Sequence, residues 1–107
     1  MAELAKETST SSGFIPTANA VSSSDKFLNN GRIIIRVANG SGGSLTVTIN
    51  TEVEIDGLTL PDAGGTQADG TSYVYGPFDT QVYNDSDGYV NVDFSTTSSV
   101  TMEIVEV

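Results

Sequence analysis

The densest run of oxygen ligands in the chain is Asn84-Asp85-Ser86-Asp87-Gly88. Side-chain oxygens at alternate positions ahead of a glycine are the pattern that wraps calcium in a helix-loop-helix site. Setting Gly88 at the glycine of such a loop puts Asp85 and Asp87 at its third and fifth positions. Tyr83 then falls at the first and Phe94 at the twelfth, and neither binds calcium. The segment therefore reads as a turn, its Asn and Asp side chains bonded to their own backbone and Gly88 at positive φ. No metal site and no cofactor are expected; the alternative is a lone calcium steadying the turn.

The other chemistries fail earlier. There is no His and no Cys, so neither a histidine base nor a thiol nucleophile exists. A Ser–Lys pair would have to draw on Lys6 or Lys26, both near the start of the chain. Paired carboxylates for glycoside hydrolysis exist in number, but nearly all stand at polar positions of alternating runs or in turns, which reads as solvated surface. Ser41 to Gly43 and Gly64-Gly65 lack the lysine and the strand-to-helix setting of a phosphate cradle. Tyr73, Tyr75, Tyr83 and Tyr89 would suit a sugar-binding face; they equally suit ordinary strand positions with the hydroxyl in water. No catalytic residue is expected, and the chain reads as a non-enzyme.

Charge is unevenly distributed. The four cations, Lys6, Lys26, Arg32 and Arg36, precede Val37, and the eleven carboxylates from Glu52 to Glu106 follow it without a single Lys, Arg or His. The net charge of -10 is thus concentrated in an acidic body. Such a body repels phosphate, which argues against nucleic acid, and it is repelled by anionic membranes. No run approaches the length of a membrane span. The opening MAELAKETST carries charges where a secretory signal needs an apolar stretch.

The elements that hold these residues are strands. Residues 1–26 form a separate, extended arm: nine of the 26 are Ser or Thr, and apolar residues show no period apart from Phe14-Ile15-Pro16. This arm is expected to be mobile in the free protein and to order on a partner, with Phe14 and Ile15 as anchors. From Phe27 to Val107 the pattern is alternating. Arg32 to Ala38 is a strand, followed by a flexible hairpin loop, Asn39 to Gly43, and a strand with Leu45, Val47 and Ile49 inward. Val53 and Ile55 continue it, Asp56-Gly57 turns, and Leu58 to Pro61 is a short extended piece. Asp62 to Gly70 reads as a loop. Ser72 to Tyr75 is a strand ended by Gly76-Pro77. Val90, Val92 and Phe94 mark another, and Val100, Met102 and Ile104 the last.

About seven short strands with Gly, Pro and Asx turns predict an all-β fold, an antiparallel β-sandwich of immunoglobulin-like or jelly-roll-like form, or a small barrel. Its core is expected to contain Ile33, Ile35, Val37, Leu45, Val47, Ile49, Val90, Val92, Phe94, Val100, Met102 and Ile104. Arg32 and Arg36 are expected to pair with neighbouring carboxylates or, as the body's only cations, to orient it on an acidic partner.

The order of the pieces carries a resemblance. Asn30-Gly31-Arg32 precedes an aliphatic strand, and Ala38-Asn39-Gly40 precedes Leu45-Thr46-Val47-Thr48-Ile49. Asp56-Gly57-Leu58, Gly76-Pro77-Phe78 and the long run Val82-Tyr83-Asn84-Asp85-Ser86-Asp87-Gly88-Tyr89-Val90-Asn91-Val92 follow, ahead of Ser98-Ser99-Val100-Thr101. In this order residues 27–107 resemble the small all-β head decoration or minor capsid proteins encoded near the major capsid protein in many tailed bacteriophages. The arm is not part of the match, and no binding residue transfers. The resemblance implies a virion surface protein, assembled in the host cytoplasm and added in many copies to a finished shell. Its partners would be the major capsid protein and neighbouring copies of itself. Phe14, Ile15, Arg32 and Arg36 are then the expected docking residues. A carbohydrate-binding or adhesion module, and a tail or connector component, are the alternatives.

Overall fold

The computed structural model describes residues 2–107 except Ser9, Ser11, Phe14, Val53, Asp56, Gly57 and Leu60. The proposed anchor Phe14, the continuation through Val53 and the Asp56-Gly57 turn therefore lie outside the described residues.

The chain is an all-β sandwich. In order it forms β1 (Ala2–Glu3), β2 (Glu7–Thr8), β3 (Asn19–Ala20), β4 (Ser24–Leu28), β5 (Ile33–Asn39), β6 (Leu45–Ile49), β7 (Glu54–Ile55), β8 (Leu58–Thr59), β9 (Ala63–Gln67) and β10 (Ser72–Tyr75). One helical turn, α1 (Thr80–Tyr83), precedes β11 (Tyr89–Phe94) and β12 (Val100–Glu106). One sheet has the order β1-β4-β11-β6-β9; the other runs β10-β5-β12, with β2 and β3 both on the far edge of β12. The long pairings are antiparallel, and only the leader strands β1 and β2 add in parallel. A smallest dimension of 20 Å is that of two sheets packed face to face.

Period-two alternation explains the core. All twelve expected core residues are buried, and β5 reads inward-outward along its whole length. Each side chain of this size taken fully out of water contributes about 1.5–3 kcal/mol. The β5–β12 ladder, seven registered pairs from Val100↔Asn39 to Glu106↔Ile33, is the spine of its sheet.

Four local readings are corrected. The sandwich begins before Phe27: β4 starts at Ser24, and Val21 joins the core. In β4 the inward residues are Asp25 and Phe27, both fully buried. An inward carboxylate breaks the expected pattern, and it is tolerated because the Ser22 amide and hydroxyl both donate to it, the amide at 2.9 Å.

Second, the described part of the arm is not free of the body; β1, β2 and β3 lie on sheet edges, and Leu4 packs against the core.

Third, Asn39 to Gly43 is no hairpin: β5 and β6 belong to different sheets. The loop is an arch, pinned by the buried Asn39. Its amide donates to Gly43 O (2.8 Å) and Gln67 O (3.2 Å), and its oxygen accepts from Ser41 N (3.1 Å). Two strands facing one core from opposite sheets alternate just as two paired strands do, so the pattern alone cannot distinguish them.

Fourth, Asp62 to Gly70 contains strand β9, paired with β6 from Leu45↔Gln67 to Ile49↔Ala63. Ala-Gly-Gly-Thr has little intrinsic strand preference; the neighbour imposes it. At Gly64 φ is +110°, and a Cβ would stand 2.1 Å from Val47 O, so only glycine fits.

Candidate docking surface

The segment Asn84 to Gly88 is a turn built as its residues dictate. Asp85 Oδ1 accepts from Asp87 N (2.9 Å) and Tyr89 N (3.0 Å), its other oxygen accepts from Asn91 (3.0 Å), and Gly88 has φ of +88°. Partial desolvation works against the Asp85 charge. The Tyr89, Asn91 and Asp87 donors outweigh it and hold the carboxyl below its usual range. Among the described residues no group of three or more acidic side chains is arranged to hold a metal ion.

The four tyrosines do not share a face. Tyr73 and Tyr75 sit together on β10, ring centroids 6.1 Å apart. Tyr83 packs edge-on against Phe78 at 5.6 Å, and Phe78 against Phe27 at 5.8 Å, closing one end of the core. Tyr89 lies under the Lys26 ammonium at 4.4 Å. Tyr75 donates to Gln67 Oε1 (2.8 Å), and the fully buried Gln67 donates to Val37 O (3.1 Å). That chain of bonds stitches β9 of one sheet to β10 and β5 of the other. Burial, with Tyr73 nearby, raises the Tyr75 phenol.

The cations are all engaged. Arg36 and Glu103 are register partners on β5 and β12, with Nη1 2.7 Å from Oε1. The pair is largely exposed on the Arg36 side, so its net contribution is below about 1 kcal/mol. Arg32 Nε donates to Val107 O (2.9 Å). Lys6 forms an ion pair with Glu106, which also accepts from Asn30 Nδ2 (3.1 Å). The Lys6 hydrogen bond, helped by Asn30 and Arg32, holds the Glu106 carboxyl below the usual range. An acidic partner would have to compete with these bonds for Arg32 or Arg36.

Among the described docking residues, Ile15 offers an apolar surface: it is 93% exposed, between β2 and β3. Arg36 stands at the middle of the spine, Arg32 at its end beside Glu106. The sequence reading missed the corner where the leader crosses from sheet to sheet. Lys6, Leu28, Asn29 and Asn30 line a hollow of about 270 Å³ there, beside a second of about 180 Å³ under Glu3, Leu4 and Ala5. Leu28 is half exposed at this corner. The available signal was Lys6, a rare cation in a chain whose acidic body offers it partners. No family model, no curated protein and no solved structure matches the chain.

Proposed function

We propose that this chain is a non-enzymatic structural protein of a tailed-phage virion, decorating and stabilising the outer capsid surface. Its partners are the major capsid protein and neighbouring copies of itself. The observation that carries this reading is the ordered run of turns and strands from Asn30-Gly31-Arg32 to Ser98-Ser99-Val100-Thr101. The surface supports it. A net charge of -10, with every cation already paired inside the molecule, gives a self-repelling exterior that keeps particles dispersed. The exposed Ile15 is a ready anchor, and weak contacts repeated over many copies add by multivalency.

Gold-labelled antiserum on virions whose genome encodes the chain tests the reading. Label over the heads, with the chain in a fixed high ratio to the major capsid protein by quantitative mass spectrometry, is the expected result. Label confined to tails would move the protein to the tail or connector. Virions free of label, together with glycan binding by the purified chain, would make it an adhesion module.

A further inference from the structure

We propose that residues 2–8 are an exchangeable clasp: the groove they fill along β4 and β12 accepts the same segment from a second copy of this chain. The inference does not depend on the capsid reading.

The clasp is a single short segment that touches both sheets. β1 adds to β4 with Ala2↔Asp25 and Glu3↔Lys26, and the Leu4 amide donates to Lys26 O at 2.8 Å. Ala5 and Lys6 cross the open flank of the sandwich, and β2 adds to β12 with Glu7↔Val105 and Thr8↔Glu106. Leu4 packs against the core, Lys6 pairs with Glu106, and the Glu3 carboxylate raises the Tyr89 phenol on β11. Each of these contacts joins the segment to the body, so a copy's segment fits a neighbour's groove as well as its own. The charge is complementary, a leader cation against a carboxylate of an acidic domain.

The tether permits exchange. Thr8 stands opposite Glu106 and Asn19 opposite Met102, on the same edge of β12. Four strand residues separate those points, about 13 Å. The intervening residues 9–18 reach roughly 33 Å when extended. The excess, roughly 20 Å, matches the 20 Å thickness of the sandwich. Exchange swaps identical contacts, so local concentration decides between the two arrangements. A tether of this length holds its own segment at about millimolar effective concentration, and the Glu7 carboxylate, which accepts from Thr17 N (2.6 Å) and Thr17 Oγ1 (3.0 Å), releases Thr17 when the tether extends. Dilute chains therefore close on themselves, and chains crowded side by side exchange.

The absence of native cysteine makes the test clean. Full-length E7C and V105C chains are mixed and oxidised over a series of concentrations up to about millimolar. The two positions are register partners, and neighbouring strands lie within the Cα separation that a disulfide spans. A disulfide-linked heterodimer that increases with concentration, well above an E7C and T66C control mixture, is expected. Thr66 lies on β9, at the opposite edge of its sheet. Heterodimer at the control level throughout would overturn the proposal. A second variant lacks residues 9–16 and leaves a tether of roughly 10 Å, too short to close on its own chain. It should run as a dimer by light scattering with Leu4 still protected from hydrogen exchange; a monomer with Leu4 unprotected would refute exchange.

Discussion

The two open flanks of this sandwich face the same physical problem and meet it differently. Two sheets leave unpaired strand edges and a slit into the core on each side. On one flank β9 and β10 close the slit with a buried amide, Gln67, bonded to Tyr75 and to the Val37 carbonyl. On the other, two-residue strands of the leader close it with an exposed ion pair and one half-buried leucine. The first closure is continuous with the core through short connections. The second hangs on a ten-residue tether, 9–18, between β2 and β3. A closure of small, solvent-facing contacts belongs to the low-stability end of a fold, where opening is local rather than global.

The comparison presupposes an intact core, and the largest effect comes from destroying it. Ile104→Asp would bury an unpaired charge beneath both flanks. The variant should show no cooperative thermal transition; a melting temperature near that of the parent would mean that the phase of β12 is wrong.

The next largest effect sharpens the boundary between leader and body. Removing residues 2–24 takes away Val21 and the Ser22 donors of the buried Asp25, at a cost of more than about 3 kcal/mol. Removing residues 2–18 takes away only the clasp and its tether. The lost Leu4 contacts are partly offset by the ordering entropy regained, for a net of about 1–2 kcal/mol. Urea midpoints of the two truncations should differ clearly; equal midpoints would erase the distinction drawn at β4.

Gln67→Ala probes the other flank. It removes a second donor from the Val37 carbonyl, which lies in the β5–β10 ladder, and leaves the Tyr75 hydroxyl without its acceptor, costing about 1–3 kcal/mol. Its loosening should show as faster hydrogen exchange along β9 and β10 with the leader unchanged, a split that peptide-resolved exchange would reveal or deny.

The smallest effect is set by acid. Because Glu106 has a lowered pKa when folded, its contribution is fully present above the ordinary glutamate range and is lost as pH falls through the lowered value. Leader protection should weaken over that window in the parent and lose the dependence in Glu106→Gln. An identical profile in both would remove Glu106 from the clasp.

The alternation of Ile33 to Val37, Leu45 to Ile49, Val90 to Phe94 and Val100 to Ile104 made the core readable from sequence, because burial on one face leaves a period of two. What alternation cannot carry is partnership. Asp25 looks like surface until Ser22 is seen to satisfy it, and Gly64-Gly65 looks like a loop until β6 lies against it. The Asn39 arch differs from a hairpin only in which sheet its second strand joins. Ile15 is as exposed as its aperiodic setting implied. The Lys6 corner depends on three segments far apart in the chain, 3–6, 28–30 and 106, which no local pattern links.

The confinement of cations to the first 36 residues has a practical side. Trypsin cleaves after Lys and Arg, so residues 37–107 contain no internal site for it. The bond after Arg36 lies in β5, hydrogen-bonded between β10 and β12. The bond after Lys6 lies within the crossing between β1 and β2. Brief digestion of the native protein therefore reports on the first 36 residues alone: nicking at Lys6 counts open leaders, and cutting at the exposed Arg32, just ahead of β5, is the reference it is read against.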